Sequence, residues 1–306
     1  MPTLYPPIEP YKTEFLKVSE IHSIYLEQSG NPNGIPIIVL HGGPGGRTKS
    51  EHRQIFNPEK FRVIFFDQRG CGKSIPSGET QANTTQDLVE DIEKVRKYLH
   101  IDKCIVYGGS WGSALAILYA EMYPESINRL ILRSIFLCTK RELDWLFNDD
   151  TLSVIYPDVW EKYIGLVLEN ERGNIMKAYE KMIFGKDKKL QIKAIQLQSF
   201  WSLIRQQLIL KIEKPEDIIV DETGINGRKI LYHYLNNKMF LEEGQLLKNI
   251  NFIRHIPTVI IHGRYDMNCP LKSAWDLHKA FPEAEFYIIP GASHKFTEPG
   301  IMEKLI

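Results

Sequence analysis

The pentapeptide Gly108-Gly109-Ser110-Trp111-Gly112 lies at the junction of two different sequence patterns. Residues 103–107 before it are typical of a buried strand, and residues 113–120 after it are typical of a helix. A chain that passes from strand to helix this abruptly must turn sharply, and it needs small residues where strand and helix approach each other. Such a turn lifts the Ser110 hydroxyl clear of the sheet edge and places it at a helix N-terminus, where developing negative charge is stabilised.

A G-x-S-x-G pattern between strand and helix is the nucleophile elbow of the α/β-hydrolase fold. A pentapeptide also arises by chance, so its meaning depends on the surrounding elements. β-Rich runs alternate with helical patterns along the chain, which predicts an α/β fold, a mainly parallel central sheet with helices on both faces. The β-rich runs are residues 15–18, 22–27, 37–40, 62–66, 103–107, 130–133, 258–261 and 285–289.

The strand patterns are absent from residues 138–250, where Lys, Glu, Leu, Ile, Tyr and Trp predominate. Helices are predicted there, among them residues 175–184 and 190–210. No Gly/Ser-rich linker separates this stretch from its flanks, and strands resume after it. We therefore predict a helical cap formed by residues 138–250 and inserted into an α/β-hydrolase core of residues 1–137 and 251–306. The alternative is a set of extra helices on the edge of the core.

The composition argues against several other classes of protein. The 38 basic and 38 acidic residues give no net charge, so electrostatics favours neither nucleic acid nor a membrane surface as a partner. Apolar runs are too short to span a bilayer, and the first residues lack a signal-peptide pattern. The four cysteines lack metal-type spacing and are typical of free thiols in a reducing compartment. We expect a cytoplasmic protein without metal or cofactor, and the sequence predicts no particular oligomeric state.

A serine hydroxyl needs a base to remove its proton, and the base needs an orienting carboxylate. In the α/β-hydrolase fold these two groups follow the serine in the order acid, then histidine. Asp266 lies in the loop after the strand pattern 258–261, and His294 lies in the loop after 285–289. Both are expected at the same sheet edge as Ser110. The other histidines precede the elbow, lie in predicted helices or the cap, or lie within or before a strand.

Acyl transfer also needs backbone donors for the oxyanion of the tetrahedral intermediate. The loop His41-Gly42-Gly43-Pro44-Gly45-Gly46 follows the strand pattern 37–40, where this fold places its oxyanion loop. Pro44 has no N–H, so the donor must come from a neighbouring residue. The N–H of Trp111, directly after the nucleophile, is the second predicted donor. Neither this loop nor the later Gly-rich stretch has the residue order of a phosphate-binding loop.

Taken together, these residues resemble a known family, the prolyl aminopeptidases (proline iminopeptidases) of the α/β-hydrolase superfamily. The resemblance covers nearly the whole predicted core. Its motifs are Ile8-Glu9-Pro10-Tyr11, Gln28-Ser29-Gly30-Asn31-Pro32, His41-Gly42-Gly43-Pro44-Gly45-Gly46, Asp67-Gln68-Arg69-Gly70, Asn83-Thr84-Thr85, Gly108-Gly109-Ser110-Trp111-Gly112, Arg133-Ser134-Ile135-Phe136-Leu137, His262-Gly263-Arg264-Tyr265-Asp266, Cys269-Pro270 and Ser273-Ala274-Trp275-Asp276-Leu277-His278.

The resemblance implies a serine peptidase that releases N-terminal proline, or a related small residue, from small peptides. It implies the same catalytic triad, namely Ser110, Asp266 and His294, and oxyanion donors at Gly43 and Trp111. It also implies a proline pocket that involves Phe136 and Cys269, with the aromatic residues Trp145 and Phe147 nearby.

The predicted cap departs from the family's pattern. The family holds the substrate's amino group with two cap glutamates, and the alignment places Arg205 and Leu231 at these positions. A guanidinium facing the substrate ammonium would repel it. An esterase or amidase of the same fold with altered cap specificity is therefore the alternative function, and a non-catalytic binding protein is a further one. Four acidic residues are alternative amine acceptors or solvated charges: Glu213, Glu216, Asp217 and Glu222.

Overall fold

The computed structural model describes residues 4–209 and 212–305, and its centre is an eight-stranded sheet in the order β1-β2-β4-β3-β5-β6-β7-β8. Strand β2 is antiparallel to both of its neighbours, whereas β3 to β8 are all parallel. Each predicted β-rich run corresponds to one strand, which confirms the α/β fold. The strands are β1 Lys12–Lys17, β2 Ser23–Gly30, β3 Ile35–Leu40, β4 Phe61–Phe66, β5 Cys104–Ser110, β6 Ile127–Ile135, β7 Thr258–Gly263 and β8 Glu285–Ile289.

The central strands are nearly continuous runs of apolar residues because both faces of the sheet are covered. On β3, Ile38 and Leu40 belong to the large core cluster that also contains Leu115. The alternate residues Ile37 and Val39 pack in a separate cluster on the other face. Both faces of the sheet are therefore covered by helices and loops. Catalytic side chains can reach a substrate only at the ends of the strands.

The helices of the described residues connect and cover these strands. Helix α1 begins after Thr84, whose hydroxyl accepts the N–H of Asp87 while the Asp87 carboxylate accepts the N–H of Thr84. None of the helices in the described ranges has the length and apolar character that a bilayer crossing needs. The helices are α1 Thr85–Tyr98, α2 Trp111–Met122, α3 Lys140–Phe147, α4 Pro157–Ile164, α5 Ile175–Phe184, α6 Lys188–Ile204, α7 Glu222–Asn236, α8 Gln245–Lys248, α9 Leu271–Ala280 and α10 Pro299–Leu305.

Between β6 and β7 the described residues form helices and turns without a strand, and we call residues 136–257 the helical insertion. The predicted helix 175–184 coincides with α5. The predicted helix 190–210 corresponds to α6 only as far as Ile204, because residues 205–209 form turns and bends, and Leu210 lies outside the described residues. Stacked aromatic rings join α4, α5 and α6 inside the insertion. The division into a cap of residues 138–250 and a core of residues 1–137 and 251–306 stays a prediction.

Candidate active site

Ser110 is the last residue of β5 and directly precedes α2, and its backbone angles are φ 60° and ψ −128°. This conformation is strained for a residue with a side chain, and it persists only where the surroundings enforce it. The glycines on either side permit it. A Cβ on Gly108 would collide with the carbonyl oxygen of Gly112, and a Cβ on Gly112 would collide with that of Leu40. The pentapeptide is therefore required by the close approach of β3, β5 and α2.

Gly109, the middle glycine of the elbow, lies against a buried arginine, Arg133, for which the sequence predicted no role. A Cβ on Gly109 would come within 2.5 Å of the Arg133 guanidinium. Arg133 also donates to the carbonyl oxygen of His294 and, at 2.7 Å, to the Ser134 hydroxyl. Through these contacts Arg133 ties the elbow to the loop that carries His294. Its position near the carboxyl end of β6 was the available signal.

His294 and Asp266 lie in the loops after β8 and β7, and they form a buried pair. Nδ1 of His294 is 2.8 Å from Oδ2 of Asp266, while Oδ1 of Asp266 accepts the N–H groups of Asn268 at 3.0 Å and Cys269 at 2.7 Å. Burial raises the Asp266 pKa, but the charge and hydrogen bond of His294 outweigh burial, so this pKa lies below its usual value. The ionised carboxylate holds the proton on Nδ1 and leaves Nε2 to act as a base.

Cys269 lies between the serine and this pair. Its Sγ is 3.9 Å from Oγ of Ser110, and this thiol is the one side-chain group of the described residues within hydrogen-bonding range of that hydroxyl. Sγ of Cys269 also lies within 4.8 Å of ligand atoms of Asp266 and His294. Burial raises the thiol pKa well above its usual value, so Cys269 is protonated and is a weak nucleophile and a weak metal ligand. The Asp266 carboxylate already accepts several hydrogen bonds, so its group with Cys269 and His294 fits a hydrogen-bonded cluster better than a metal site.

His262, on β7, is also close to Asp266, but its hydrogen bonds give it a structural role. Its Nδ1 accepts the N–H of Ile135 at 3.0 Å, so Nε2 carries the proton and donates to the Cys269 carbonyl oxygen at 2.8 Å. Burial lowers the His262 pKa, which keeps the ring neutral. His262 thus fixes the backbone of Cys269 against the end of β6.

The loop of residues 41–46 follows β3 and passes over Ser110. A Cβ on Gly42 would lie 3.5 Å from Cβ of Ser110. Gly43 has a φ of 132°, and a side chain there would come within 2.7 Å of the backbone nitrogen of Gly45. Trp111 is the first residue of α2, so its N–H has no acceptor within the helix. The loop and the helix start bring the two candidate donors, Gly43 and Trp111, to the neighbourhood of Ser110.

Gln68 connects this loop to α2. Its Nε2 donates to the His41 carbonyl oxygen at 2.9 Å, and its Oε1 accepts the indole N–H of Trp111 at 3.0 Å. Its backbone N–H donates to Nε2 of His41 at 3.0 Å. In the sequence, Gln68 belongs to the motif Asp67-Gln68-Arg69-Gly70, which by itself predicts no role for this side chain. Its position just after the carboxyl end of β4 was the available signal.

The predicted pocket residues differ in their surroundings. Phe136 follows β6, and its N–H donates to the Ser113 hydroxyl at 3.1 Å, one turn into α2. The indole of Trp145, on α3, donates to the carbonyl oxygen of Met267 at 2.9 Å, next to Asp266. Phe147, at the end of α3, is buried in the large core cluster. The structure brings Phe136, Trp145 and Cys269 to the elements around Ser110.

The two positions at which the predicted cap departs from the family's pattern carry Arg205 and Leu231, neither of which is acidic. Arg205 follows α6 and is 3% exposed. Leu231, on α7, is partly buried against the large core cluster. The four acidic residues considered as amine acceptors are all exposed: Glu213, Glu216, Asp217 and Glu222.

The architecture and the elbow define the class of the protein. A family model described as the alpha/beta hydrolase fold matches residues 35–300. Among solved structures, an esterase from Exiguobacterium antarcticum has a TM-score of 0.58 and 19% identity, with 95% of this chain and 96% of that chain covered. At this identity the likeness concerns the fold alone. The chain belongs to the α/β-hydrolase family.

Sequence relatives narrow the assignment. The proline iminopeptidase of Arabidopsis thaliana is 46% identical over 306 residues, which cover 99% of this chain and 80% of the relative. The proline iminopeptidase of Neisseria meningitidis serogroup B is 43% identical over 300 residues, which cover 97% of this chain and 95% of the relative. Within the α/β-hydrolases the chain is a serine hydrolase of the proline iminopeptidase family, as its motifs predicted.

Proposed function

We propose that this enzyme releases N-terminal proline, or a similar small residue, from short peptides through an acyl-enzyme on Ser110. The observation that carries the proposal is the 2.8 Å contact of His294 with Asp266 beside the strained elbow of Ser110. The names of its relatives support the substrate class. No other acid and histidine of the described residues combine this contact with positions after β7 and β8.

In the proposed mechanism His294 is the base and Asp266 keeps it oriented. Nε2 of His294 takes the proton of Ser110 as Oγ attacks the carbonyl carbon, and the oxyanion accepts the N–H groups of Gly43 and Trp111. His294 then protonates the leaving amine. In the second half-reaction it activates the water that releases the acyl group. The first step needs a hydrogen bond from Ser110 to Nε2 of His294. The described residues show the Ser110 hydroxyl near Cys269 instead, and catalytic hydrogen bonds of this kind often form fully only in the substrate complex.

The proposed acyl pocket is lined by Phe136 and Cys269, with Trp145 and Phe147 behind them. Ser110 is 9% exposed beneath the helical insertion, so substrate bound there is largely shielded from water. Shielding strengthens the electrostatic interactions that stabilise the oxyanion. A protonated thiol is a small, weakly polar group, which suits it to contact an apolar ring such as that of proline.

A second candidate function is an amidase or esterase of the same mechanism whose substrate lacks a free amine. The observation that favours it is the buried guanidinium of Arg205, because a positive charge at this place repels an ammonium group. The four free cysteines of the described residues are buried and unpaired, which fits a reducing, cytoplasmic location for either candidate.

The two candidates are separated by the hydrolysis of three substrates: a proline arylamide, its N-blocked counterpart and a short-chain aryl ester. The peptidase predicts a preference for the free amine, and the amidase or esterase predicts indifference to the block. Ser110→Ala should abolish every activity and also labelling by a serine-directed phosphonate. Turnover that survives this substitution would refute the proposed nucleophile.

A further inference from the structure

A buried guanidinium in the helical insertion, that of Arg205, has no anionic partner among the described residues. Nε of Arg205 donates to the Trp201 carbonyl oxygen at 2.8 Å, and its guanidinium lies 5.2 Å from the centre of the Trp201 ring. Nη1 of Arg205 is buried, and no atom of residues 4–209 or 212–305 forms a hydrogen bond with it. These contacts orient the side chain but leave its charge uncompensated.

The surroundings of Arg205 add a second positive charge. Arg228, on α7, donates to the Ser199 hydroxyl at 3.0 and 3.3 Å and forms no ion pair within the described residues. Burial, with a smaller contribution from Arg228, lowers the Arg205 pKa to about 10, yet the group remains charged at neutral pH. The neighbours that favour its charged form are Tyr163, Tyr232 and Cys269, none of which carries a carboxylate.

Other buried arginines of this chain form ion pairs with carboxylates. Arg53 reaches Glu27 at 2.8 Å, and Arg69 reaches Asp91 at 2.6 Å. An unpaired buried charge is strongly unfavourable, which is why such groups are normally paired. The folded chain by itself gives no reason for two neighbouring guanidiniums at Arg205 and Arg228, whereas an anionic ligand would.

The two arginines lie on the part of the insertion that meets the candidate active site. Gly227, the residue before Arg228, is in backbone contact with Gly45 of the oxyanion loop. Arg205 is close enough to Cys269 for the two groups to interact electrostatically. Cys269 in turn lies 3.9 Å from Oγ of Ser110. A ligand held by the arginines would therefore lie on the side of the insertion that meets the elements around Ser110.

We propose that Arg205 and Arg228 form a carboxylate-binding subsite for the substrate that reacts at Ser110. A guanidinium presents parallel N–H groups that match the two oxygens of a carboxylate. The carboxylate belongs either to the C-terminus of a very short peptide or to an acidic acyl group. The inference rests on the proposed function, because it assumes hydrolysis at Ser110. It goes beyond that function by specifying that the substrate carries a negative charge.

Two matched pairs of substrates test the subsite and identify the source of the carboxylate. The dipeptide Pro-Gly and its C-terminal amide differ only in a carboxylate on the leaving side. N-succinyl-proline arylamide and its succinyl methyl ester differ only in a carboxylate on the acyl side. In one of the pairs the charged member should have the higher kcat/KM, by roughly 10- to 100-fold, as expected for a charge-assisted hydrogen bond.

Arginine-to-methionine variants show whether the guanidiniums cause this preference. Arg205→Met and Arg228→Met should each reduce the ratio within the preferred pair towards one, and Arg205→Lys should retain part of it. Arg254→Met is the matched control, since Arg254 is exposed and pairs with Glu283 away from the site. Equal turnover within both pairs in the unmodified enzyme, or a preference that persists in Arg205→Met and Arg228→Met, overturns the subsite.

A readout without turnover keeps the subsite and the proposed function distinguishable. Succinate should slow phosphonate labelling of Ser110 in the unmodified enzyme and should lose this effect in Arg205→Met. Labelling that succinate leaves unchanged counts against the subsite alone. If no phosphonate reaches Ser110, or if Ser110→Ala keeps its activity, the proposed function fails instead, and with it the assumption beneath the subsite.

Discussion

Gly45 and Gly227 are in backbone contact across the boundary between the loop of residues 41–46 and the helical insertion. A Cβ on Gly227 would lie 2.6 Å from the Gly45 carbonyl oxygen, and a Cβ on Gly45 would collide with the Gly227 carbonyl oxygen. Neither residue can therefore carry a side chain without separating the loop from α7. This contact makes the position of the loop depend on the packing of α7, which lies more than a hundred residues away in the chain. The dependence matters because the loop passes over Ser110.

Gly227→Ala should impair catalysis by displacing this loop. We expect kcat to fall about 10- to 100-fold, since oxyanion donors act only when they are well placed. Alanine is also the better helix former, so thermal unfolding should change less than activity does. Steady-state kinetics and a melting curve measure both effects.

The control for this substitution is Gly173→Ala, in the same insertion, where an added Cβ would meet no atom within 4 Å. This variant should keep normal kinetics. Equal kinetics for the two variants would show that the contact between Gly45 and Gly227 does not position the loop.

Gln68→Met should lower kcat with a smaller effect on KM. Methionine has a similar length but cannot donate to His41 or accept from Trp111, so the loop and α2 lose their connection. A loss of about tenfold or more in kcat is expected from a displaced donor. Gln196→Met, which removes a hydrogen bond to Ile218 in the insertion, is the control. If kcat is normal in Gln68→Met, the bridge is structural only.

Arg53→Met and Arg205→Met should change stability in different ways, although both arginines are buried. Removing Arg53 leaves Glu27 as an uncompensated buried charge, so the free energy of unfolding should fall by about 3–5 kcal/mol. Removing Arg205 eliminates a charge that has no ion-pair partner in the described ranges, so the free energy of unfolding should stay constant or rise. Urea denaturation of the unmodified protein, Arg53→Met and Arg205→Met measures these free energies of unfolding. A large loss in Arg205→Met would mean that an internal partner compensates its charge.

Glu121, near the end of α2, should make stability depend on pH. Burial raises its pKa from 4.5 to about 7, against a weaker opposing hydrogen bond from Asn249. The folded state thus keeps a proton that the unfolded chain releases, and the free energy of unfolding should fall as pH rises from 4.5 to about 7.

Glu121→Gln removes this titration because the amide stays neutral. The variant should be more stable than the unmodified protein above pH 7 and equally stable below pH 4.5. Urea denaturation across this range is the measurement. Parallel pH profiles for the two proteins would show that Glu121 titrates normally.

Local patterns in the sequence were sufficient for the fold and for the positions of the proposed catalytic residues. Apolar runs that must be buried on both faces predict the strands, and glycines beside Ser110 predict the sharp turn that the angles of that residue show. The order of Asp266 and His294 after β7 and β8 follows from topology, because parallel strands end at a common edge. These properties depend on residues close together in the chain.

The tertiary structure decided which distant side chains meet. The approach of Cys269 to Ser110 joins residues 159 positions apart. The bridge of Gln68 between His41 and Trp111 also depends on how separate strands and helices pack. The sequence shows arginine at position 205, but only the folded insertion shows that its guanidinium is buried, with Nη1 unpaired within the part of the chain that the structure describes. Local spacing determines which elements form, whereas the environment of a charge is set by the packing of those elements against each other.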